Sequence, residues 1–546
     1  MSATLPASPT GAAAKALGAY YTDALVAEYL VGWAVRGAAD RVMDPSFGGG
    51  VFLRAACERL TELGGDPTAQ VFGVELDPQT HQQTRRALEV IRPQNLIHSD
   101  FFAVEPGQLR PLEAVVGNPP FIRFQRFTGE ARARALARAA AQGVQLSRLA
   151  SSWAAFLVHS TALLRPGGRL AMVVPAELGH ASYARPVLEH LLRSFEQVQI
   201  IRFGRTLFPE ISQDTVLVLA EGRGSRRGPA LLELRDLASA EDLGKAHPTG
   251  QAVEVSRLLE GRERLIEYHL SPELRGLYRA VGGSGRTARL GQVADVGIGY
   301  VTGNNDYFHL SPEQAGRLKI PGRFLRAAVR RGRALRGLEF GPGDWAAGLV
   351  SGEAGYLLHV APEARLPGAL RDYIEQGRRQ GVHLAYKCRV REPWYAVPHV
   401  HRPQAFLSYM SGVVPHLVAN TAGAVAPNSL HLVRSSWFSG LALAALWQTS
   451  LARLSAELEG HPMGGGMLKL EPGEAENVRL PLPELAAERL EELARELDAL
   501  LRAGRAAEAE ALADRALLMD GLGLSGTDCA LLREGAAGLR ERRRTR

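Results

Sequence analysis

The sequence contains little cysteine and no long apolar run. Its three cysteines, Cys57, Cys388 and Cys529, lie far apart and form no CxxC pair. A disulfide framework and a metal site are therefore not expected, and this cysteine usage fits the reducing cytoplasm, where we expect the protein to work. The apolar runs fall well short of the roughly 20 residues that a membrane-spanning helix needs, so no membrane association is predicted. The first 16 residues lack the charged-then-apolar order of a secretory signal and are expected to form a leader without fixed structure.

Length and charge limit the class of protein. A chain of 546 residues is too long to fold around a single hydrophobic core, so about three domains are expected. Hydrophobic residues make up 46% of the chain and charged residues 22%, which is typical of a globular protein. The net charge of +7, carried mainly by arginine, is compatible with a polyanionic partner but does not by itself indicate one.

Strand-like and helix-like segments alternate through the first 220 residues. Such alternation predicts an α/β domain with a parallel-rich sheet flanked by helices. Ligands of such sheets bind beyond the carboxyl ends of the strands, so the residues that follow each strand matter most. The predicted strands lie in DRVMDPS, QVFGVEL, NLIHSD, LEAVVGN, GRLAMVVP, VQIIRFG and DTVLVLA.

Glycine and carboxylate residues follow the first two predicted strands. DPSFGGGVFL places Asp44 before a glycine turn, in which Gly48 and Gly50 allow a tight bend and a close approach to a ligand. This turn does not match GxGxxG, so a dinucleotide is not the favoured ligand. Glu75 ends the second strand, about 20 residues beyond the turn, where a carboxylate can accept hydrogen bonds from ribose hydroxyls.

The third and fourth strands end in HSDFF and NPPF. Asp100 is an acceptor beside the ring of Phe101, a pair that can hold an exocyclic amine and cover one face of a purine. Two prolines make residues 118–121 a stiff corner, because proline locks its own backbone and restricts the residue before it. The corner holds an amide, Asn118, and an aromatic ring, Phe121, in fixed positions.

These motifs together resemble those of the adenine-N6 DNA methyltransferases. The order GAYYTDALVAEYLVGWA, DPSFGGGVFL, GVELDP, HSDFF, NPPF is similar to the gamma arrangement, in which cofactor and catalytic motifs precede the target recognition domain. The resemblance implies a Rossmann-like class I methyltransferase domain with a seven-stranded sheet over residues 17–225. It further implies a mixed α+β recognition domain over 286–483. Between the two domains the alternation of strands and helices fades, so residues 226–285 are interpreted as a connector. A heptad-like pattern predicts a C-terminal helical segment within 484–546, and its basic tail, residues 540–546, is expected to lack fixed structure.

The resemblance also implies roles for single residues. S-Adenosyl-L-methionine is expected to contact Tyr21, Thr22, Asp44, Gly48 and Gly50 with its methionine part, Glu75 with its ribose, and Asp100 and Phe101 with its adenine. The Asn118 side-chain oxygen and the Pro119 carbonyl, next to Pro120, are expected to accept hydrogen bonds from the target amino group. A target base flipped out of the duplex is expected to stack on Phe121 and Phe208.

Basic and aromatic residues in two regions of the chain lead us to predict that the protein binds double-stranded DNA. FIRFQRF follows the catalytic corner, and YKCRVREPWYAVPHVHRP and HPMGGGMLKLEPG lie in the predicted recognition domain. Arginine suits guanine edges and phosphates, and aromatic rings supply stiff contact area. The predicted DNA-contacting residues are Arg123, Lys387, Arg389, Arg391, Trp394 and Lys469.

Several alternatives remain open on the sequence. RNA or a protein glutamine presents the same kind of planar amine, as does the N4 amino group of cytosine. A DNA-binding module with an inactive catalytic domain is a further alternative. The family implies a restriction-modification or phage-defence setting, with a cognate restriction endonuclease or a defence-system subunit as partner. We expect a monomer.

Overall fold

The computed structural model describes residues 22–179, 181–205, 207, 214–224, 230–245 and 250–544. The chain forms two compact units; the first ends at His269 and the second runs from Leu270 to Arg544. Across the described ranges, no helix is both long enough and apolar enough to cross a bilayer. The same ranges contain no cluster of three or more His, Cys, Asp or Glu side chains that could hold a metal ion.

One large sheet forms the centre of the first unit. Its strands in the described residues are β1 (Val42–Asp44), β2 (Val71–Glu75), β3 (Leu96–His98), β4 (Leu112–Gly117), β5 (Leu164–Pro175), β6 (Gln197–Phe203), β7 (Thr215–Glu221), β8 (Leu231–Leu237) and β9 (Gln251–Val253). They lie in the order β3-β2-β1-β4-β5-β7-β6-β8-β9. β1 to β5 are parallel, and β7 runs antiparallel between β5 and β6. β1, β4 and most of β2 are buried, as parallel strands covered on both faces should be.

The sheet is larger than the predicted seven strands. Each of the seven predicted runs forms a strand, but β8 and β9 come from residues 226–285, which the sequence assigns to a connector. β8 pairs in parallel with β6, and its Leu232 and Leu234 are buried while Leu231 is 69% exposed. The sequence of β8, LLELRDL, alternates only in part and contains three charged residues, which gives a weak local signal. Pairing with β6 supplies the stabilisation that the local sequence does not indicate.

Helices cover both faces of this sheet. They are α1 (Ala24–Ala34), α2 (Val51–Glu62), α3 (Pro67–Gln70), α4 (Pro78–Ala87), α5 (Gly129–Ala141), α6 (Ser152–Leu163), α7 (Arg185–Ser194) and α8 (Val255–Leu259). Polar side chains cap the N-termini of several of these helices. The Asp23 carboxylate accepts the Leu25 N–H at the start of α1, and the Asp77 carboxylate accepts the Thr80 N–H at the start of α4. Almost all of α6 is buried, so this helix forms a rigid part of the core.

The second unit contains several small sheets. Its strands are β10 (Thr287–Arg289), β11 (Asp295–Ile298), β12 (His309–Leu310), β13 (Leu325–Val329), β14 (Glu339–Phe340), β15 (Ala354–Leu358), β16 (Ala405–Ser408), β17 (Met410–Ser411), β18 (Leu417–Asn420), β19 (Leu430–Arg434), β20 (His461–Met463), β21 (Met467–Lys469) and β22 (Arg479–Pro481). They are arranged as β11-β19-β16-β18-β14, β12-β15-β13, β17-β21-β20 and β10-β22. This is a mixed α+β unit, because many helices lie between the strands.

The second unit also contains helices, and the last four of them follow one another at the C-terminal end of the described chain. They are α9 (Pro272–Gly283), α10 (Leu290–Val293), α11 (Asn305–Phe308), α12 (Pro312–Arg317), α13 (Pro342–Ser351), α14 (Gly368–Arg379), α15 (Tyr386–Arg389), α16 (Gly440–Trp447), α17 (Ser450–Glu459), α18 (Pro472–Asn477), α19 (Ala487–Arg502), α20 (Ala506–Ala513), α21 (Asp520–Leu522) and α22 (Gly526–Arg544). A π-helical turn, Asp514–Met519, joins α20 to α21. The apolar face of α19, with Leu490, Leu493 and Leu497, is buried in the core of this unit.

The basic tail is ordered as far as it is described. α22 continues to Arg544, although the sequence predicts no fixed structure for residues 540–546. Arg543 is only 4% exposed, and its guanidinium donates to both carboxylate oxygens of Glu457 at 2.9 and 3.0 Å. It also donates to the carbonyls of Val413 and Gly466. A buried arginine is tolerated when its donors are used in this way, and that condition depends on distant residues that the local sequence cannot reveal.

Candidate active site

The predicted ligand-contacting residues meet at one edge of the large sheet. β3, β2, β1 and β4 are adjacent and parallel, so their carboxyl ends lie along the same edge. Asp44 ends β1, Glu75 ends β2, Asp100 follows β3 and Asn118 follows β4. The strand order therefore brings together side chains that are up to 74 residues apart in sequence.

Gly48 and Gly50, two of the three glycines in the turn after β1, are glycines for different reasons. Gly48 has a φ of +48°, and a Cβ there would meet no atom within 4 Å. Its α-carbon therefore faces open space, which leaves room for a ligand. Gly50 has a φ of +78°, and its Cβ would lie 2.7 Å from Cγ2 of Thr84. Gly50 is therefore required by packing against α4 as well as by its backbone conformation.

Asp44 is buried, with 1% of its surface exposed. Its Oδ1 accepts a hydrogen bond from the Ser46 N–H at 2.9 Å. Burial raises the pKa of the carboxyl to about 8; the Ser46 N–H lowers this pKa in part, and the Glu75 carboxylate raises it further. Without a bound cation, Asp44 is therefore largely protonated at neutral pH.

Glu75 is fixed by backbone donors on both sides. Its Oε2 accepts the N–H of Gly48 and its Oε1 accepts the N–H of Asp77, each at 2.9 Å. These bonds tie the tip of β2 to the glycine turn after β1. The carboxylate is held in one orientation and retains lone pairs for further donors.

Asp100 and Phe101 lie at the start of a short 3-10 helix, Phe101–Ala103. The Asp100 carboxylate accepts the Phe102 N–H at 3.0 Å and pairs with Arg134 at 3.3 Å. Phe101 is 3% exposed, and its ring stacks on Phe156 with centroids 5.0 Å apart and planes 17° apart. The ring therefore packs in the hydrophobic core, and its contact with the adenine of the cofactor stays a prediction.

The corner after β4 presents an unpaired acceptor. The Asn118 side-chain NH₂ donates to Oγ1 of Thr22 at 3.2 Å. Its Oδ1 is buried and has no hydrogen-bond partner among the described residues. A buried polar atom without a partner is costly, and this one lies at the carboxyl edge of the parallel strands, where a bound ligand can supply the donor. Phe121, three residues on, is 6% exposed.

Two predicted residues, Tyr21 and Phe208, lie outside the described residues.

Ser152, which the sequence analysis does not single out, contacts the corner directly: its hydroxyl donates to the Pro120 carbonyl and accepts the Ile122 N–H. No spacing or motif marks this serine, because it lies 30 residues beyond the corner.

The predicted DNA-contacting residues of the second unit fall into two groups. Lys387 and Arg389 are exposed on α15 and lie over the ring of Tyr386, at 5.6 and 5.9 Å from its centroid. Arg391 instead donates to the carbonyls of Val301 and, at 2.9 Å, of Thr302. Its guanidinium holds a loop in place and has less freedom to reach a partner.

Trp394 and Lys469 also make contacts within the second unit. The Trp394 ring lies 5.6 Å from that of Tyr307 and is partly buried. Lys469 pairs with Glu471 and lies 5.3 Å from the Tyr409 ring centroid. The remaining predicted residue, Arg123, is in the first unit and is exposed.

Two protein families match this chain. The family described as N-6 DNA Methylase matches residues 8–238. The family described as Type II methyltransferase M.Eco57I, C-terminal domain, matches residues 262–518. The first match includes the whole edge of the sheet described above, and the second includes most of the second unit.

Individual relatives extend this likeness. Type II methyltransferase M.XamI of Xanthomonas campestris pv. amaranthicola is 24% identical over 503 residues, which cover 88% of each chain. Type II methyltransferase M.TthHB8I of Thermus thermophilus is 30% identical over 178 residues, 31% of this chain and 37% of its own. Among solved structures, the ATP-dependent Type ISP restriction-modification enzyme LlaBIII bound to DNA has a TM-score of 0.51 at 10% identity. That match covers 88% of this chain and 40% of LlaBIII, and it is a likeness of fold.

Proposed function

We propose that this chain, whose residues 8–238 match the family described as N-6 DNA Methylase, transfers the methyl group of S-adenosyl-L-methionine to the N6 amino group of adenine in double-stranded DNA. The observation that carries the proposal is the buried, unpaired Oδ1 of Asn118 at the carboxyl edge of the sheet. The amino group of a flipped-out adenine supplies the missing donor. The match to the family described as N-6 DNA Methylase supports a nucleobase of DNA as the source of this amino group.

The carboxyl edge of the sheet has the groups needed to hold the cofactor. Gly48 leaves open space for close approach, and Asp44 and Glu75 lie on either side of its turn. We assign Glu75 to the ribose hydroxyls, Asp44 to the methionine end and Asp100 to the adenine amino group. When bound, the cofactor supplies an electrophilic methyl group; the protein residues bind it and exclude water from it.

The corner aligns the nucleophile. The amino group of adenine is a poor nucleophile because its nitrogen lone pair is shared with the ring. Asn118 Oδ1 and the Pro119 carbonyl accept its two N–H bonds, which draws the nitrogen toward a tetrahedral shape and leaves the lone pair facing the methyl group. The rate gain comes from alignment and from stabilising the charge that develops on nitrogen. Phe121 and Phe208 are assigned to the two faces of the flipped base.

DNA contacts are assigned first to the exposed residues of α15. Tyr386, Lys387 and Arg389 form a group of one ring and two cations, and Tyr386 is 65% exposed. Neither cation has a carboxylate within ion-pair distance in the described part of the chain. Such a group suits phosphates and base faces. Arg123 adds an exposed cation in the first unit. Arg391, Trp394 and Lys469 make contacts within the second unit, and their role in DNA binding is proposed with less support.

The double variant Lys387→Ala/Arg389→Ala is expected to weaken DNA binding and to lower the slope of log Kd against log salt by about two, one for each phosphate contact. Cofactor affinity should not change. The measurement is fluorescence anisotropy of a labelled duplex at several salt concentrations. Arg505→Ala is the matched control, because this arginine is also exposed in the second unit but pairs with Glu508. Equal slopes for both variants would place the DNA contacts elsewhere.

The proposed setting is a restriction-modification or phage-defence system. Its support is the set of relatives named as type II methyltransferases. A cognate restriction endonuclease or a defence-system subunit is the proposed partner, and a cytoplasmic monomer the proposed form.

The deciding experiment is methyl transfer from labelled S-adenosyl-L-methionine to unmethylated plasmid DNA, with the modified nucleoside identified by mass spectrometry. We expect N6-methyladenine. If N4-methylcytosine is found instead, the proposed methyl transfer to an amino group stands, but the target base is cytosine. Label in RNA or in a protein glutamine would replace the DNA substrate. Cofactor binding without transfer to any of these would indicate an inactive DNA-binding module.

A further inference from the structure

Ser152 binds the backbone of the NPPF corner on both sides of Phe121. Its hydroxyl accepts the Ile122 N–H at 2.9 Å and donates to the Pro120 carbonyl. Its own N–H donates to the Ile122 carbonyl at 3.0 Å. Ser152 is the first residue of α6 and is 0% exposed, so these three bonds are shielded from water.

The corner needs an anchor of this kind because of its prolines. Residues 119 and 120 have no N–H, so they cannot donate a hydrogen bond to neighbouring backbone. At the other end, Gly117 is held in the sheet by pairing with Met172 of β5. The prolines make the segment stiff, but its direction depends on how both ends are fixed. Ser152 fixes the end that the sheet does not reach.

The anchor is itself rigid. Trp153, the next residue of α6, is 0% exposed, and its Nε1 donates to the Tyr183 hydroxyl at 3.1 Å. The Tyr183 hydroxyl in turn donates to the Glu177 carboxylate. Glu177 lies on the 3-10 helix Ala176–Gly179, directly after β5. The start of α6 is therefore tied to the same edge of the sheet as the corner.

We propose that Ser152 is a positioning residue that aims Asn118 Oδ1 and the Pro119 carbonyl at the target amino group. It acts through the backbone of residues 120–122 and does not itself touch the substrate. This inference rests on the proposed function. A small loss of alignment in a reaction of this kind lowers the rate of the chemical step with little effect on binding.

Ser152→Ala is expected to lower the single-turnover rate of methyl transfer about 10- to 100-fold, with the Kd of S-adenosyl-L-methionine and of duplex DNA unchanged. Ser160→Ala is the matched control: Ser160 lies on the same helix, is also 0% exposed, and its hydroxyl has no partner among the described residues. It should keep the wild-type rate. Ser152→Thr retains the hydroxyl and should recover most of the rate.

The outcomes separate this inference from the proposed function. Wild-type transfer to adenine with an unchanged rate for Ser152→Ala would overturn the role of Ser152 alone. The same follows if Ser152→Ala loses cofactor binding and rate together. It also follows if Ser152→Thr, folded as stably as the wild type, has the same low rate as Ser152→Ala. Absence of transfer by the wild type would overturn the proposed function. If Ser152→Ala does not fold, Ser152→Cys carries the same test, because it keeps the shape of the side chain but its thiol is a weak donor and a weak acceptor.

Discussion

Asn118→Ala is expected to lower methyl transfer to adenine by about 10²- to 10³-fold or more, while the protein still binds S-adenosyl-L-methionine and DNA. The reason is that Oδ1 is a fixed acceptor without a partner in the described structure, so removing it leaves no other contact unsatisfied except that of Thr22. Stability should therefore change little. The measurement is the single-turnover rate, with both affinities and the melting temperature.

Asn95→Ala is the matched control for this variant. Asn95 is a buried asparagine directly before β3, and it therefore lies at the opposite end of the strands from the site. Its NH₂ donates to the carbonyls of Val71 and Thr68 at 3.2 and 3.3 Å. We expect Asn95→Ala to lower the melting temperature and to leave the transfer rate of the folded protein unchanged. The opposite pattern, with Asn118→Ala less stable and still active, would make the corner a structural element.

Cofactor affinity is expected to rise with pH, by about tenfold per unit between pH 6 and 7.5, because Asp44 must lose a proton to bind a cation. The pKa of Asp44 is raised to about 8 by burial, so the carboxyl is mostly protonated over this range. The α-ammonium group of the methionine end favours the carboxylate. Binding should therefore release a proton, which calorimetry in buffers of different ionisation enthalpy will detect.

The pH dependence of folding stability has the opposite sign to that of cofactor affinity. A carboxyl with a pKa raised in the folded state retains a proton that the unfolded chain has lost, between about pH 4 and pH 8. The contribution of Asp44 to the free energy of unfolding of the ligand-free protein therefore falls as pH rises through this window. Asp44→Asn should remove both dependences and weaken cofactor binding at pH 7.5. A pH-independent wild-type affinity would remove the assignment of Asp44 to the methionine end.

Seven of the nine strands described in the first unit were predictable because their signal is local. Apolar runs bounded by glycine, proline or charged residues marked all seven strands β1 to β7, and the motifs after them marked the edge where a ligand binds. Thus the order of Asp44, Glu75, Asp100 and Asn118 along the chain, together with the rule for parallel sheets, was enough to predict that they meet. Their assigned roles remain predictions.

Only the tertiary structure decided which side chains are already engaged. Residue type and spacing do not distinguish Arg389, which is exposed, from Arg391, which bonds the carbonyls of Val301 and Thr302. The same holds for Arg543, whose partners lie more than 70 residues away.

The sequence by itself thus determined the class of fold and the position of the candidate site, because periodicity, glycine turns and proline corners act over a few residues. The tertiary structure decided that the sheet continues through β8 and β9, that the Phe101 ring lies in the core, and that Ser152 anchors the corner. Each of these depends on pairing or packing between segments distant in sequence. Such contacts are set by the folded arrangement of the whole unit, and no local pattern records them.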